Sequence, residues 1–437
     1  MRSLITAACI AAFALVIVGG TGVVRRFVPR VVLYRLLHGE WGNPAITDSA
    51  EKPNIAQASP PTRGAGSAPI PNGVDQPASF VPYGPTSPWN HRISANPTMA
   101  SYSATVIASM FGPSFVGNQE DPPVWGQEAG IYDYSHPIFF AQNSDPVIKL
   151  ACSRYCGEAG TAYPTTIHIP AQARPAQGTD AHIAIVQPNG EEIDAWAAYG
   201  TPGGSGKYPG TPATRNWQTG DTLTAGNIAE CRNFFTGTGF GPVANRPYST
   251  AGGACLGGGL IRPNELLAGK INHALFIVLP CGVGASVYPT PTTGSIPDNV
   301  CKSGIGVPFG ARLWYDVPDA TTNASTSLAT WEKAILNALH DYGGYFEDTG
   351  DGGRAAIGVQ LLLADSEPGF DYTGNRSGWW QPLSAQGWTG IAIRNVQPAL
   401  GNLSALRWTG AGAWLPRGVD WARHMHWLAP CSAQGRC

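Results

Sequence analysis

The chain has 437 residues, 13% of them charged, with a formal net charge of -2, and it carries 55 glycines, 38 prolines and 14 tryptophans. A charged fraction about half the usual quarter, with so many turn formers, excludes long solvent-washed helical bundles and favours turn-rich β structure. The near-neutral charge, with no Lys/Arg stripe in the body of the chain, excludes the electrostatic footprint of a nucleic-acid binder.

From Leu4 to Val24 no charged residue appears, giving about the 20 apolar or small residues that span a bilayer. Residues 1–24 therefore read as a signal peptide or a membrane anchor. Arg25, Arg26, Arg30 and Arg35 follow the run, and positive charge on that side works against translocation of what comes next. Residues 25–84 read as a juxtamembrane segment and linker. From about Asn43 to Ser87 they are rich in Pro, Ala, Gly and Ser without apolar periodicity, so burial cannot offset their ordering entropy. The folded body is expected over 85–437 as a single disulfide-stapled β domain, opening at Ser87-Pro88-Trp89-Asn90 and ending in a Trp-rich section.

Of nine cysteines, Cys9 lies in the leader and the rest fall in local pairs: Cys152/Cys156, Cys231/Cys255, Cys281/Cys301 and Cys431/Cys437. Eight cysteines allow 105 connectivities, and neighbour pairing is the simplest of them. No C-x-x-C spacing or Cys/His knuckle points to zinc. Disulfides imply an oxidising, extracytoplasmic location, secreted or anchored at the cell surface.

Short apolar or alternating runs between Gly, Pro and Asn clusters predict strands at Thr165–Ile169, His182–Gln187, Ala274–Leu279, Ala311–Val317, Ile357–Leu363 and Gly390–Arg394. The run Ala274–Leu279 shows no alternation and suits a strand covered on both faces. Ser327–Tyr342 carries Leu328, Trp331, Ile335, Leu336, Leu339 and Tyr342 at helical spacing, and Gly343-Gly344 stops it. A shorter helical turn is expected at Asn264–Gly269, after Pro263. No internal repeat argues for a solenoid or propeller. The fold class expected is mainly β: an antiparallel, jelly-roll-like β-sandwich with one or two docked helices.

Four groups of residues suggest chemistry. His182 opens a strand that turns at Pro188-Asn189-Gly190 and returns through Glu191 to Trp196, so His182 and Asp194, with Asp180 nearby, form an imidazole/carboxylate candidate. His273 enters the most apolar strand, where burial keeps an imidazole neutral and fit to act as a base or ligand. Tyr345–Asp351 is expected to be a loop directly after the long helix, carrying Glu347, Asp348 and Asp351, and it resembles a calcium loop in composition but lacks its full spacing. His424 and His426 would project from one face of a strand, a geometry that suits a metal, although no third ligand can be named. No metal site or cofactor is assigned beyond this, with calcium kept as a minor alternative.

Trp379, Trp380, Trp388, Trp408, Trp414, Trp421 and Trp427 crowd the C-terminal section. Indoles stack on sugar faces and donate through the ring nitrogen. The chain contains no G-x-S-x-G elbow, H-E-x-x-H, phosphate loop or dinucleotide fingerprint.

The run Ser87-Pro88-Trp89-Asn90, the His182 hairpin, Gly259-Leu260-Ile261-Arg262 with Glu265-Leu266, Gly269, Ile271 and His273-Ala274-Leu275, then Gly310-Ala311-Arg312-Leu313, Ala338-Leu339, Tyr342-Gly343 and Asp348 form a pattern. Over about residues 85 to 365 it resembles a group of secreted bacterial proteins mostly known as hypothetical. The resemblance implies a shared β fold with His182, Asp194, His273 and Asp348 as recurring polar residues, and it carries no activity. Asp194 stands where that group has Glu.

The function expected is glycan cleavage at the cell exterior, most simply by a glycoside hydrolase acting on a polysaccharide. Asp194, His182, His273 and Asp348 are the catalytic candidates, and Arg262, Arg312, Trp196, Trp379, Trp380 and Trp388 the substrate-binding ones. A polysaccharide lyase using His182 or His273 with Tyr199 is the alternative, with Arg262 or Arg312 neutralising an uronate. A non-catalytic glycan-binding surface protein is the alternative from another class.

Overall fold

The computed structural model describes residues 81–110, 126–128, 136–156, 163–175, 180–199, 215–240, 250–279, 281–290, 300–301, 304–349, 360–362, 364–365 and 421–430. The leader, the linker up to residue 80, Asp351, Gly390–Arg394, Cys431, Cys437, Trp379, Trp380 and Trp388 lie outside them, whereas residues 81–84, expected in the linker, belong to the folded body, with Tyr83 buried in its core. Among the described residues no helix is long and apolar enough to cross a membrane.

In chain order the first strands are β1 (Gly126–Glu128), β2 (His136–Phe140), β3 (Val147–Cys152), β4 (Thr166–His168), β5 (Ile183–Val186), β6 (Glu191–Trp196), β7 (Thr222–Ala225) and β8 (Asn227–Asn233). They are followed by β9 (Leu275–Leu279), β10 (Arg312–Tyr315), β11 (Gly344–Thr349), β12 (Gln360–Leu362), β13 (Ala364–Asp365) and β14 (Met425–Trp427). They form a six-stranded sheet ordered β1-β12-β9-β11-β10-β14, a five-stranded sheet ordered β13-β2-β5-β6-β8 and a three-stranded sheet ordered β4-β3-β7.

These sheets stack because each of the two larger ones is apolar on both faces. Phe276, Val278 and Tyr345 of the six-stranded sheet meet Ile138, Phe140, Ala184 and Val186 of the five-stranded one in a shared core. Behind the first, Leu275, Ile277, Leu313 and Phe346 pack on Leu266, Trp331, Ile335 and Leu339 of the helices Pro263–Ala268 and Thr330–Asp341. Behind the second, Ile183, Ile185, Ile193 and Ala195 pack on Ile148, Leu150, Ile167 and Leu223 of the small sheet. Each Val, Leu, Ile or Phe among them contributes about 1.5–3 kcal/mol when fully buried. The layers therefore run helix, sheet, sheet, sheet.

The β-rich class and the two docked helices agree with the sequence reading, and further helices occur at Ser103–Met110 and Asp319–Ala324. The antiparallel expectation is corrected. Strands β2 and β5, β3 and β7, β9 and β11, and β1 and β12 pair in parallel, so the sheets are mixed, whereas a jelly roll is built of antiparallel Greek keys. Parallel neighbours need a long crossover, and the link from β9 to β11 supplies one by passing through β10 and the helix Thr330–Asp341. Strand periodicity carries no information on that choice.

Among the described residues, three disulfides, Cys152–Cys156, Cys231–Cys255 and Cys281–Cys301, join the neighbours expected. The Ser87–Asn90 motif is a core anchor. Trp89 stacks on Phe240 at 5.0 Å between ring centroids and donates its indole N–H to the Gly239 carbonyl. Gly258 lies against that indole, and a Cβ there would stand 2.6 Å from a Trp89 ring carbon. The glycine-rich stretch 252–259 is accordingly a buried inner loop rather than a surface turn.

Candidate functional site

The parallel register Ile138–Ala184 sets His136, the first residue of β2, beside His182, which immediately precedes β5. Their rings meet edge to face with centroids 4.6 Å apart, and both side chains are buried. His136 Nδ1 lies 3.1 Å from the Leu256 carbonyl. A neutral ring that donates there presents its Nε2 lone pair on the other side. Burial, and then the neighbouring His182, push the His136 pKa well below its ordinary value, so this imidazole is neutral at physiological pH.

The third member comes from the facing sheet. In β11, Phe346 pairs with Ile277 but Asp348 pairs with Val278, so Glu347 is an extra residue, a β-bulge. Simple alternation would put Asp348 on the Phe346 side, towards the helices. The bulge re-aims it, and Asp348 shares the inner face with Val278. Its Oδ1 accepts the N–H groups of Ala251 and Thr349 at 3.2 and 2.8 Å. One donor atom from each of His136, His182 and Asp348 lies within 4.8 Å of the other two.

Asp348 is part-exposed as a residue, while its carboxyl group itself is enclosed. Its pKa is pushed up to about 7, first by burial and then by the Asp180 carboxylate. Asp180 is itself held by the indole N–H of Trp196 at 3.1 Å, and the part-exposed Trp196 ring lies 5.9 Å from the exposed ring of Tyr155. An aromatic surface therefore adjoins the carboxylates.

Asp194 is on the same sheet face as His182, opposite Ala184, as the hairpin predicts, but it is fully buried and used internally. Its Oδ2 accepts the Leu256 N–H at 2.8 Å, while Glu192 beside it accepts the Gly257 N–H and the Tyr83 hydroxyl, both at 2.8 Å. Burial raises both carboxyl groups, Glu192 to about 7, and the pair repel each other when ionised. This pair docks the 252–259 loop, which the Cys231–Cys255 bridge also ties to β8.

His273 stands apart. It precedes β9, whose Leu275 pairs with Gly344, whereas Asp348 pairs with Val278 further along; five residues of strand separate 273 from 278, about 16 Å at 3.3 Å per residue. His273 Nε2 faces Glu265 Oε1 at 3.2 Å, and Glu265 also takes Arg262 Nη2 at 2.5 Å. Arg312 donates to the carbonyls of Tyr342 and His91 and lies over the Tyr345 ring. Both arginines proposed to meet substrate thus serve the interior. His424 and His426 both turn to Asp316, at 2.7 and 2.9 Å.

His136 is the site residue that sequence reasoning missed. A signal existed: His136, His182 and His273 each lead an apolar run into a strand. Two further groupings of potential ligands are explained otherwise. Cys231 and Cys255 beside Glu192 are bridged to each other, and Asp341 in the Asp319/His340/Asp341 group is ion-paired with Arg92.

Comparison with protein-family models, curated proteins and solved structures finds no match to this chain. The class the fold and site define is a disulfide-bonded, layered β protein with two buried imidazoles and a carboxylate converging between two sheets.

Proposed function

We propose that this chain is an exported glycan-cleaving hydrolase whose reaction centre is the His136/His182/Asp348 cluster with Asp180 beside it. The observation that supports the reading is the convergence of His136, His182 and Asp348 from two facing sheets, with Asp348 and Trp196 part-exposed. In this reading the imidazoles and Asp348 hold and polarise a water. Asp180 relays its proton. One water is consumed per bond broken: its hydroxyl joins the anomeric carbon, and its proton ends on the leaving oxygen. The substrate class follows from Trp196 and Tyr155 beside Asp180, since aromatic faces stack on sugar rings, and from the Trp-rich C-terminal section of the sequence. The disulfides together with the apolar leader support export.

Incubation with a panel of polysaccharides tests the reading. New reducing ends that disappear in Asp180→Asn and His182→Gln variants are expected. An absorbance for unsaturated uronate would instead indicate elimination, and binding without products would indicate a non-catalytic module. Full activity in both variants would remove the site from consideration.

A further inference from the structure

We infer that His136, His182 and Asp348 form a mononuclear site for a divalent transition metal of the zinc, manganese or iron(II) kind. This deepens the hydrolase reading and rests on it only for the metal's role, not for its binding. Two nitrogen donors and one carboxylate oxygen are the donor set such ions take, whereas calcium prefers oxygen alone. Three protein ligands leave a position for water, the arrangement of catalytic rather than structural sites.

Three features point to a ligand rather than to ordinary core histidines. The donors come from β2, the residue before β5, and β11, so no local turn explains their meeting. His136 Nδ1 is anchored on the Leu256 carbonyl, the outer-sphere partner that fixes a ligating imidazole's tautomer and ring direction. Asp348 has its Oδ1 fastened by the Ala251 and Thr349 N–H groups, which leaves Oδ2 as the donor, and a bulge is spent to aim it inward. Ligands at about 2.1 Å from an ion stand about 3–3.5 Å apart, so the present separations, all within 4.8 Å, close by side-chain rotation of roughly an ångström. A bound ion would lower the pKa of its water and supply the nucleophile at neutral pH.

The experiment uses the purified full chain, stripped with EDTA and titrated with Co²⁺, whose visible absorption reports its coordination by nitrogen and oxygen, with Zn²⁺ as competitor. About one ion per chain is expected. His136→Ala, His182→Gln and Asp348→Asn should each lower affinity by at least about 100-fold, the upper range for loss of even an outer partner. His424→Ala and His426→Ala should bind as the parent does. Unchanged thermal unfolding of Asp348→Asn, the near-isosteric variant, guards against misfolding as the cause. Binding that survives all three substitutions, or that is lost only with His424 or His426, overturns the inference. Glycan cleavage that persists undiminished in metal-free protein overturns the metal's catalytic role while leaving the hydrolase reading intact. One bound Co²⁺ without cleavage of any polysaccharide supports the metal site and removes the hydrolase reading.

Discussion

Asp194 and His136 are fastened to one residue, Leu256, whose N–H reaches Asp194 Oδ2 at 2.8 Å and whose carbonyl lies 3.1 Å from His136 Nδ1. A buried carboxylate on β6 therefore sets the ring of a histidine on β2 through a single residue of the inner loop. Asp194 is a positioning residue.

Substitution separates that role from chemistry. Asp194→Ala removes the acceptor of a buried N–H and is expected to cost about 2–4 kcal/mol of stability, with loss of activity. Asp194→Asn keeps an acceptor oxygen and should retain most of both. Urea unfolding alongside polysaccharide cleavage checks this; an inactive Asp194→Asn variant of normal stability would make Asp194 a chemical participant.

The same pair gives the protein an unusual pH dependence. Burial holds Glu192 at about 7 and Asp194 well above its usual range, and Glu347 is raised in the same direction. The folded chain then keeps protons that the unfolded chain releases above about pH 4.5, so these groups stabilise at low pH and their contribution is lost as pH rises towards 7. The slope is about 1.4 kcal/mol per pH unit for each proton retained. Denaturant midpoints between pH 4.5 and 7.5 should fall, and fall less steeply in the Glu192→Gln/Asp194→Asn double variant. A profile that climbs across this window would contradict the assignment.

Cys231–Cys255 closes a loop with a sequence separation of 24, for which chain entropy gives about 3 kcal/mol. It also tethers the loop that carries Leu256. Replacing both cysteines by serine should lower stability by about that amount and weaken metal binding together with activity, whereas replacing Cys152 and Cys156, which span only four residues, should leave the site unaffected. Equal effects of the two replacements would show that the bridge acts only through global stability.

Arg262, Glu265 and His273 form a buried polar cluster at the far end of β9. The His273 and Arg262 charges, against the cost of burial, hold Glu265 below its usual pKa, so its contribution is present above about pH 4.5 and lost on further acidification. Glu265→Ala removes the buried carboxylate that pairs with Arg262 and His273 and should cost about 3–5 kcal/mol. Its folded fraction, however, should still bind Co²⁺, which equilibrium dialysis at low temperature can measure. Loss of binding by a well-folded Glu265→Ala protein would join His273 to the site after all.

Much of the scaffold is legible in the sequence because it depends on short-range pattern. The alternation and apolar runs locate β4, β5, β9, β10 and β12, the 3.6-residue spacing of Trp331, Ile335 and Leu339 locates the long helix, and cysteine proximity anticipates the three described bridges. His182 is visible as a polar residue at the margin of such a run, and the hairpin register sets Asp194 on the face of His182; Asp348, expected on a loop after the long helix, lies instead in strand β11.

What tertiary structure alone decided is which polar residues meet. His136 and His182 are neighbours because two strands 46 positions apart pair in parallel, a choice set by crossover length and layer packing rather than by either strand's composition. Asp348 joins them because one extra residue, Glu347, inverts the alternation of β11; a period-2 pattern read from sequence cannot show where a ladder slips. His273 carries the same local signature as His182 and was drawn away by Glu265 on a helix packed behind the sheet. Local order is written in spacing along the chain, whereas the site depends on register between chain segments, and register is fixed only when whole sheets bury their faces.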